Sequence, residues 1–186
     1  MNKKTSTLLA LAVSTGLFSI AANAITGTTS VQATFTSTVE AGTCTAQIQN
    51  ASGQVITTLP FGDVFKSDLV AQSRSEPFKI VFSGCAGVKS ASVQATPGAG
   101  GGCTGPNTDG DSFSAGNATG FEVWKGVAAS GTLLSCNTKP VQNVSISSAS
   151  AAVDMAARIV IAKSRTIADV TAGNVSAPVT FVVTYQ

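Results

Sequence analysis

Residues 31–39 read Val-Gln-Ala-Thr-Phe-Thr-Ser-Thr-Val, with an apolar or small residue at every odd position and Gln or Thr at every even one. Strict alternation of this kind places the two sets of side chains on opposite faces of a β-strand. The stretch follows a leader and precedes Cys44, so we expect it to be a free arm at the N-terminus of the mature protein. Its apolar face must be buried in the arm's own sheet or on the exposed sheet edge of another molecule.

Residues 1–24 have the pattern of a secretory signal peptide. Lys3 and Lys4 precede an uncharged apolar run over residues 8–20, and Ala22-Asn23-Ala24 forms a small-x-small cleavage site. The run is shorter than the roughly 20 residues that a membrane-spanning helix needs, and nothing basic follows it. We therefore expect cleavage after Ala24, export, and no stable membrane insertion. Residues 25–186 then remain, which is an ordinary length for one domain.

The mature protein is expected to be electrically neutral. The chain has eleven Lys and Arg against nine Asp and Glu, and loss of Lys3 and Lys4 with the leader leaves nine of each sign. A neutral protein has no global attraction to nucleic acid or anionic lipid. The charges are also scattered, without the basic clusters of a nucleic-acid surface, so we expect no nucleic-acid partner.

The four cysteines, Cys44, Cys85, Cys103 and Cys136, predict two disulfides because export leads to an oxidising compartment. Three pairings are possible. We favour Cys44 with Cys85 and Cys103 with Cys136, because the other pairings would tie the two halves of the chain together through a Gly-rich segment. A zinc site is the weaker alternative, since there is no histidine and no Cys-x-x-Cys motif.

Alternating apolar residues recur along the rest of the chain. Phe78, Ile80 and Phe82 predict the inward face of a core strand, and residues 155–162 and 179–185 predict two further strands. No amphipathic helix of three turns is evident. Short strands separated by Gly, Asn and Ser turns are typical of an all-β sandwich.

Two segments between these strands carry specific expectations. Residues 55–59 are predicted to form a short strand. Residues 97–120 contain eight glycines, two prolines and Phe113 as the only aromatic residue, which predicts a long surface loop. The glycines at 98–102 are not followed by Lys-Ser/Thr or by a predicted helix, so a phosphate-binding loop is disfavoured.

The residue types that support catalysis are missing or badly placed. There is no histidine, the cysteines are expected to be bonded, and the closest carboxylates, Asp109 and Asp111, lie in the Gly-rich segment. Calcium binding by residues 107–111 would also need a distal bidentate Glu, which the segment lacks. We therefore expect no enzyme activity, no cofactor and no bound metal.

Four motifs together resemble the subunits of chaperone-usher fimbriae, the pilins of Gram-negative bacteria. The first is Phe-x-x-x-Val from Phe35, nine residues before Cys44; the second is Phe-x-Ile-x-Phe-Ser-Gly-Cys, which ends at Cys85. The third is Gly-Phe-Glu-Val-Trp over residues 120–124. The fourth, and the most specific, is the alternating tail over residues 172–186, in which tyrosine is the next-to-last residue.

The resemblance implies an incomplete immunoglobulin-like sandwich of six strands that lacks its seventh strand. The missing strand leaves a hydrophobic groove along the sheet edge. The implied partners are a periplasmic chaperone that first fills the groove, an outer-membrane usher, and neighbouring pilin subunits whose N-terminal arms replace the chaperone strand. The implied organisation is a donor-strand arm over residues 25–40 and a pilin domain over residues 41–186, exported through the periplasm to a fimbrium on the cell surface.

The resemblance also assigns roles residue by residue. The donor strand would present Val31, Ala33, Phe35, Ser37 and Val39 to the groove of a neighbour. The final strand gripped by the chaperone would present Phe181, Val183, Tyr185 and Gln186. The family disulfide maps onto Cys44 and Cys85, whereas Cys103 and Cys136 lie outside the matched pattern. Ser37 departs from the family, which usually has glycine there because the facing pocket is shallow.

The predicted function is therefore that of a structural fimbrial subunit, polymerising by donor-strand exchange for cell adhesion. The pattern leaves open whether the subunit is a major shaft component or a minor one. The alternative is a self-contained secreted β-sandwich binding module, such as a lectin or an adhesin. Terminal adhesins of such fibres generally carry an extra receptor domain and no donor arm, which disfavours this alternative.

Overall fold

The computed structural model describes residues 32–186, which form nine β-strands and one short helix. The predicted signal peptide and residues 25–31 of the predicted arm, Val31 among them, lie outside the described residues. Residues Val39–Gln186 form one compact unit. The elements are β1 (Thr43–Asn50), α1 (Lys66–Ala71), β2 (Ser75–Ala86), β3 (Ser90–Pro97), β4 (Phe113–Gly116), β5 (Thr119–Lys125), β6 (Thr132–Leu133), β7 (Gln142–Ser145), β8 (Ala151–Ile161) and β9 (Val179–Tyr185).

The strands form two antiparallel sheets that face each other across one core. The larger sheet has the order β1-β2-β8-β5-β4, with β6 also paired to β5, and the smaller sheet has the order β7-β3-β9. Six of the nine strands, β1, β2, β3, β5, β8 and β9, have seven residues or more and make up the body of the sandwich. The predicted all-β sandwich is confirmed.

The core lies where the alternating residues of the two sheets meet. Phe78, Ile80 and Phe82 of β2 are all buried, as their alternation predicted, and they pack in one cluster with Ala91 and Val93 of β3. Alternation in both sheets fills the core from two sides because successive side chains of a strand point to opposite faces.

The connection between β1 and β2 differs from the prediction. Residues 55–59 do not form a strand: Val55 makes only a single bridge, to Gln49 of β1. The segment instead continues to α1, where Asp68 accepts a hydrogen bond from the Phe65 N–H at 2.9 Å. The helix buries Leu69 in a second apolar cluster. A six-residue helix was missed because it is too short to show a repeating apolar face.

The Gly-rich segment is also more ordered than predicted. Residues 97–120 are not only a surface loop, because they contain β4 and the start of β5. Phe113 is fully buried in the main core, and Ala115 of the same strand is 7% exposed. The glycines permit tight turns around β4, but the apolar side chains at 113 and 115 decide that this part of the segment packs inward.

Two disulfides join Cys44 to Cys85 and Cys103 to Cys136, the pairing that the sequence favoured. The first links the start of β1 to the end of β2, and the second links the Gly-rich segment to the residues that follow β6. Among residues 32–186, no helix is long and apolar enough to cross a membrane.

Candidate functional site

The last strand of the chain has an unpaired edge. Within the described part of the chain, β9 pairs only with β3, antiparallel, in a register that runs from Tyr185 opposite Ala91 to Val179 opposite Pro97. Its other edge has no partner strand, so it offers a row of backbone hydrogen-bonding groups to an additional strand.

The register identifies which residues present those groups. Gln186 exchanges both backbone hydrogen bonds with Ser90, at 2.8 and 3.1 Å, and the Gly98 N–H donates to the Pro178 carbonyl at 2.8 Å. Hydrogen-bonded pairs alternate along an antiparallel ladder, so the even-numbered residues of β9 bond to β3. The odd-numbered residues therefore direct their N–H and C=O groups to the open edge: Val179, Phe181, Val183 and Tyr185.

The same four residues direct their side chains into the sandwich, yet none of them is fully buried. The facing residues of β1, the edge strand of the other sheet on this side, behave similarly. Cys44 and Ile48 are half-buried, and Ala46, which pairs with the fully buried Phe82, is itself exposed. β1 and β9 are neighbouring edge strands of the two sheets, and their partly exposed inward side chains border one incompletely covered groove.

The opposite side of the sandwich is closed. There the edge strands are β4 and β7, whose inward residues Phe113, Ala115 and Val144 are 0%, 7% and 8% exposed. A further bridge from Cys103 to Phe113 and the hydrogen bond from the Ser114 N–H to the Gly102 carbonyl cover the edge of β4. The core is thus exposed along one side of the sandwich, between β1 and β9.

The floor of the groove is aromatic and uncharged. Phe181 packs on Phe78 with ring centroids 5.8 Å apart, and Tyr185 meets Phe82 edge-on at 6.4 Å. No charged side chain lies on the inward faces of β1 and β9, so an incoming strand would meet apolar surface and backbone hydrogen-bonding groups.

The predicted site residues at the end of the chain therefore lie together. Phe181, Val183 and Tyr185 line the groove, and the Gln186 carbonyl accepts hydrogen bonds from the Lys89 and Ser90 N–H groups, which positions the C-terminus at the groove's end. Val179, Ala46 and Ile48 were not in the predicted set. Their alternation with polar residues was visible in the sequence, but membership of the groove depends on which strands become edges.

The described residues of the predicted arm are all exposed. Ala33, Phe35, Ser37 and Val39 belong to no helix or strand, and Phe35 and Val39 are 94% and 95% exposed. An exposed phenylalanine and valine on a segment without regular structure leave apolar surface available for another molecule to bury.

The described residues offer little else that is chemically reactive. They contain no group of three His, Cys, Asp or Glu side chains placed to hold a metal ion. All four cysteines are bonded, and the carboxylates of Asp109 and Asp111 engage Lys163 and Ser135, respectively.

No protein-family model matches the sequence. The chain is 41% identical over 185 residues to the uncharacterised fimbrial-like protein YadL of Escherichia coli strain K12, with 91% of this chain and 90% of that protein covered. The chain belongs to the family of chaperone-usher fimbrial subunits.

Solved structures agree with the fold of this pilin. The P pilus rod subunit PapA matches 77% of this chain and 99% of its own, with a TM-score of 0.52 and 20% identity. A subunit from the structure of a chaperone-usher pilus, solved to explain uncoiling of the rod, matches 85% of this chain and 96% of its own, with a TM-score of 0.53 and 20% identity. The incomplete immunoglobulin-like sandwich is therefore the fold of this pilin.

Proposed function

We propose that this pilin is a structural subunit of a cell-surface fimbria, and that it polymerises by accepting the N-terminal arm of a neighbouring copy or a related subunit between β1 and β9. The proposal rests on two features that occur together in the same four residues of β9. Val179, Phe181, Val183 and Tyr185 combine unpaired backbone groups with partly exposed inward side chains.

An added strand would form hydrogen bonds with the unpaired backbone groups of β9 and would bury its partly exposed inward side chains. Four N–H and four C=O groups on β9 become available for a ladder, which supplies affinity that does not depend on the donor's sequence. Every second side chain of the donor strand would enter the groove. In the predicted arm these side chains are Val31, Ala33, Phe35, Ser37 and Val39. Full burial of a Phe or Val side chain contributes about 1.5–3 kcal/mol.

The same open edge supports a role for a chaperone and an usher. A subunit with an unpaired strand and an exposed apolar groove would aggregate before assembly. A periplasmic chaperone that lends a strand to β9 would prevent this, and an outer-membrane usher would be the place where an arm replaces it. In this scheme residues 1–24 direct export, residues 25–40 are the donor arm, and residues 41–186 are the acceptor domain.

The deciding experiment compares two proteins by urea unfolding. One is residues 41–186 alone, and the other carries a copy of residues 28–40 joined after Gln186 by a flexible linker. The proposal expects the appended arm to raise the unfolding midpoint strongly and to leave the protein monomeric, because the linked arm fills its own groove.

The matched control is the same appended arm with Phe35→Asp and Val39→Asp. It should stabilise the domain much less, since charged side chains would have to enter an apolar groove. If the three proteins unfold alike, the sandwich is already closed. The self-contained binding module would then be the better description.

A further inference from the structure

The short helix α1 carries two apolar side chains that face solvent. Phe65, which precedes the helix, is 68% exposed, and Val70 within it is 64% exposed, whereas Leu69 of the same helix is buried. At about 1.5 Å per residue, the chain from Phe65 to Val70 covers only about 7.5 Å along the helix axis. We call these two residues the α1 patch. Neighbouring exposed apolar side chains on one element indicate a surface that another protein can bury.

The α1 patch lies at one end of the groove between β1 and β9. Phe181, near the start of β9, packs on Phe78, near the start of β2, and β2 begins shortly after α1 ends. Leu69 of α1 also shares an apolar cluster with Val175, which comes shortly before β9. The helix is therefore at the end of the sandwich where β9 begins, which is the Val179 end of the groove.

In each subunit the predicted arm joins the domain at the opposite end of the sandwich, through a very short connector. Gly42 packs so closely on the turn between β2 and β3 that a Cβ atom there would lie 2.8 Å from the backbone of Gly87. Only Glu40 and Ala41 separate Gly42 from Val39, the last apolar residue of the arm. The chain from residue 39 to residue 42 spans at most about 11 Å. A subunit whose arm fills a groove must therefore hold its own domain against the end of that groove.

The direction of the added strand decides at which end of the groove the neighbouring domain lies. Every pair of strands among residues 32–186 is antiparallel. Antiparallel pairing is also slightly more stable per residue than parallel pairing. An arm that continues this pattern runs antiparallel to β9, so it begins beside Tyr185 and ends beside Val179. The domain that follows the arm then lies at the Val179 end, next to the α1 patch.

We propose that the α1 patch is a second contact between successive subunits, and that it docks on the end of the neighbouring domain from which the inserted arm emerges. This inference rests on the proposed strand addition. At that end Ala41, Ala86 and Gly87 are exposed, small and uncharged, so they allow the ring of Phe65 to approach the backbone closely. Two side chains bury too little surface to join free proteins. The bound arm supplies the high effective concentration at which so small a contact forms.

The test is photo-cross-linking in fibres sheared from cells that express the full chain. With p-benzoylphenylalanine in place of Phe65, irradiation should give covalent dimers, and mass spectrometry should locate the cross-link within residues 40–43 or 84–89 of the neighbouring subunit. The matched control carries the same group in place of Val141, which is 56% exposed beside β7, on the closed side of the sandwich. The control should give no cross-link to those residues. Absence of cross-links from position 65, cross-links confined to other surfaces, or equal yields from the two positions would overturn the proposal.

A longer connector provides an independent test. Insertion of Gly-Ser-Gly-Ser between Glu40 and Ala41 extends the reach of the connector to about 25 Å. The cross-link yield from position 65 should then fall at least fivefold while fibres still assemble. An undiminished yield would mean that the contact does not depend on the short connector, and the proposal would fail.

A variant of the arm separates failure of this contact from failure of strand addition. Phe35→Asp/Val39→Asp in the full chain should abolish the fibres. If this variant still assembles, the proposed function is wrong. If it does not assemble, but fibres with the unmodified arm give no cross-link from position 65, only the contact at the α1 patch is wrong.

Discussion

Tyr185 of β9 meets Phe82 of β2 edge-on, with ring centroids 6.4 Å apart, yet Phe82 is completely buried and Tyr185 is not. Two aromatic rings in contact within one core would ordinarily be buried together. The difference arises because Tyr185 lies on an edge strand whose outer side has no neighbouring strand among residues 32–186. This contact therefore lies at the boundary between the fully buried core, which contains Phe82, and the partly exposed groove, which contains Tyr185.

Removal of an inward side chain of β9 should damage both the core and the groove. Phe181→Ala deletes the ring that packs on Phe78, and we expect a loss of roughly 3 kcal/mol in the free energy of unfolding. A peptide of residues 28–40 should also bind the variant more weakly. Urea unfolding and peptide titration measure the two effects.

Val182 supplies the control for this change, because it is the neighbouring residue and points outward with 46% exposure. Val182→Ala should change stability by less than about 0.5 kcal/mol and leave peptide affinity unaltered. Equal effects at 181 and 182 would contradict the assigned faces of β9.

Proline substitutions should separate the two edges of β9. Val183 directs its N–H to the open edge, so Val183→Pro should keep the β3 ladder and fold, but accept a donor peptide poorly. Thr184 bonds to β3, so Thr184→Pro should lose that bond, leave its acceptor on β3 unpaired and destabilise the domain by about 1–3 kcal/mol. Thermal unfolding and peptide binding distinguish the two, and the opposite ranking of stabilities would refute the hydrogen-bond assignment.

Loss of the second disulfide should weaken the closed side of the sandwich. Cys103 and Cys136 are 33 residues apart, and a loop of that length implies up to about 4 kcal/mol of stabilisation in the chain-entropy model. In Cys103→Ala/Cys136→Ala we also expect the cover over β4 to loosen, which would expose a second edge and promote aggregation. Urea unfolding and light scattering would measure these changes.

The double variant Cys44→Ala/Cys85→Ala is the comparison, because that disulfide lies at the groove. It should reduce affinity for the donor peptide, whereas Cys103→Ala/Cys136→Ala should leave that affinity nearly intact in the monomeric fraction. Equal losses of peptide affinity would mean that the second disulfide supports the whole domain rather than the edge at β4.

Acid should remove a small part of the stability through two carboxyl groups. A hydrogen bond from Lys163 lowers the pKa of Asp109 below its ordinary value of 3.8, and hydrogen bonds from Thr166 do the same for Asp169. Because each pKa is lower in the folded state, the contribution is fully present above about pH 3.8 and is lost as the pH falls through the folded-state value.

The measurement is urea unfolding at pH 7 and at pH 3. In Asp109→Asn/Asp169→Asn the difference between the two free energies of unfolding should be smaller than in the unmodified protein, mainly because stability at pH 7 is lower. Asp63→Asn, at an exposed residue without a side-chain partner in the described chain, should retain the original difference. An unchanged difference in the double variant would contradict the assignment.

The alternation of apolar and polar residues over short stretches was sufficient to predict several of the strands. The alternation of Phe78, Ile80 and Phe82, and that of Val179 to Tyr185, predicted strands whose inward faces the structure reproduces. Side-chain alternation is a property of one strand and needs no knowledge of its neighbours. The motifs around Cys85 and at the C-terminus carried the family resemblance for the same reason, since each is a short continuous stretch.

Other features depended on contacts between distant residues. Phe113 lies among glycines, and its surroundings in the sequence predicted a loop. It is buried because its ring packs in the main core with apolar side chains of β2 and β8. The brief helix at residues 66–71 forms because Leu69 packs on Ile159 and Val170, which lie some ninety or more residues further along the chain. Propensity over a few residues is a weak signal beside burial of this kind.

The sequence by itself determined that the chain is all-β, that apolar and polar residues alternate over residues 31–39 ahead of Cys44, and that the tail alternates like that of a pilin. Only the tertiary structure decided which strands are edges, and hence that the groove lies between β1 and β9 while β4 and β7 are closed. The physical reason is that the face of a side chain follows from its place in a strand, whereas an unpaired edge exists only after all the strands have been arranged into sheets.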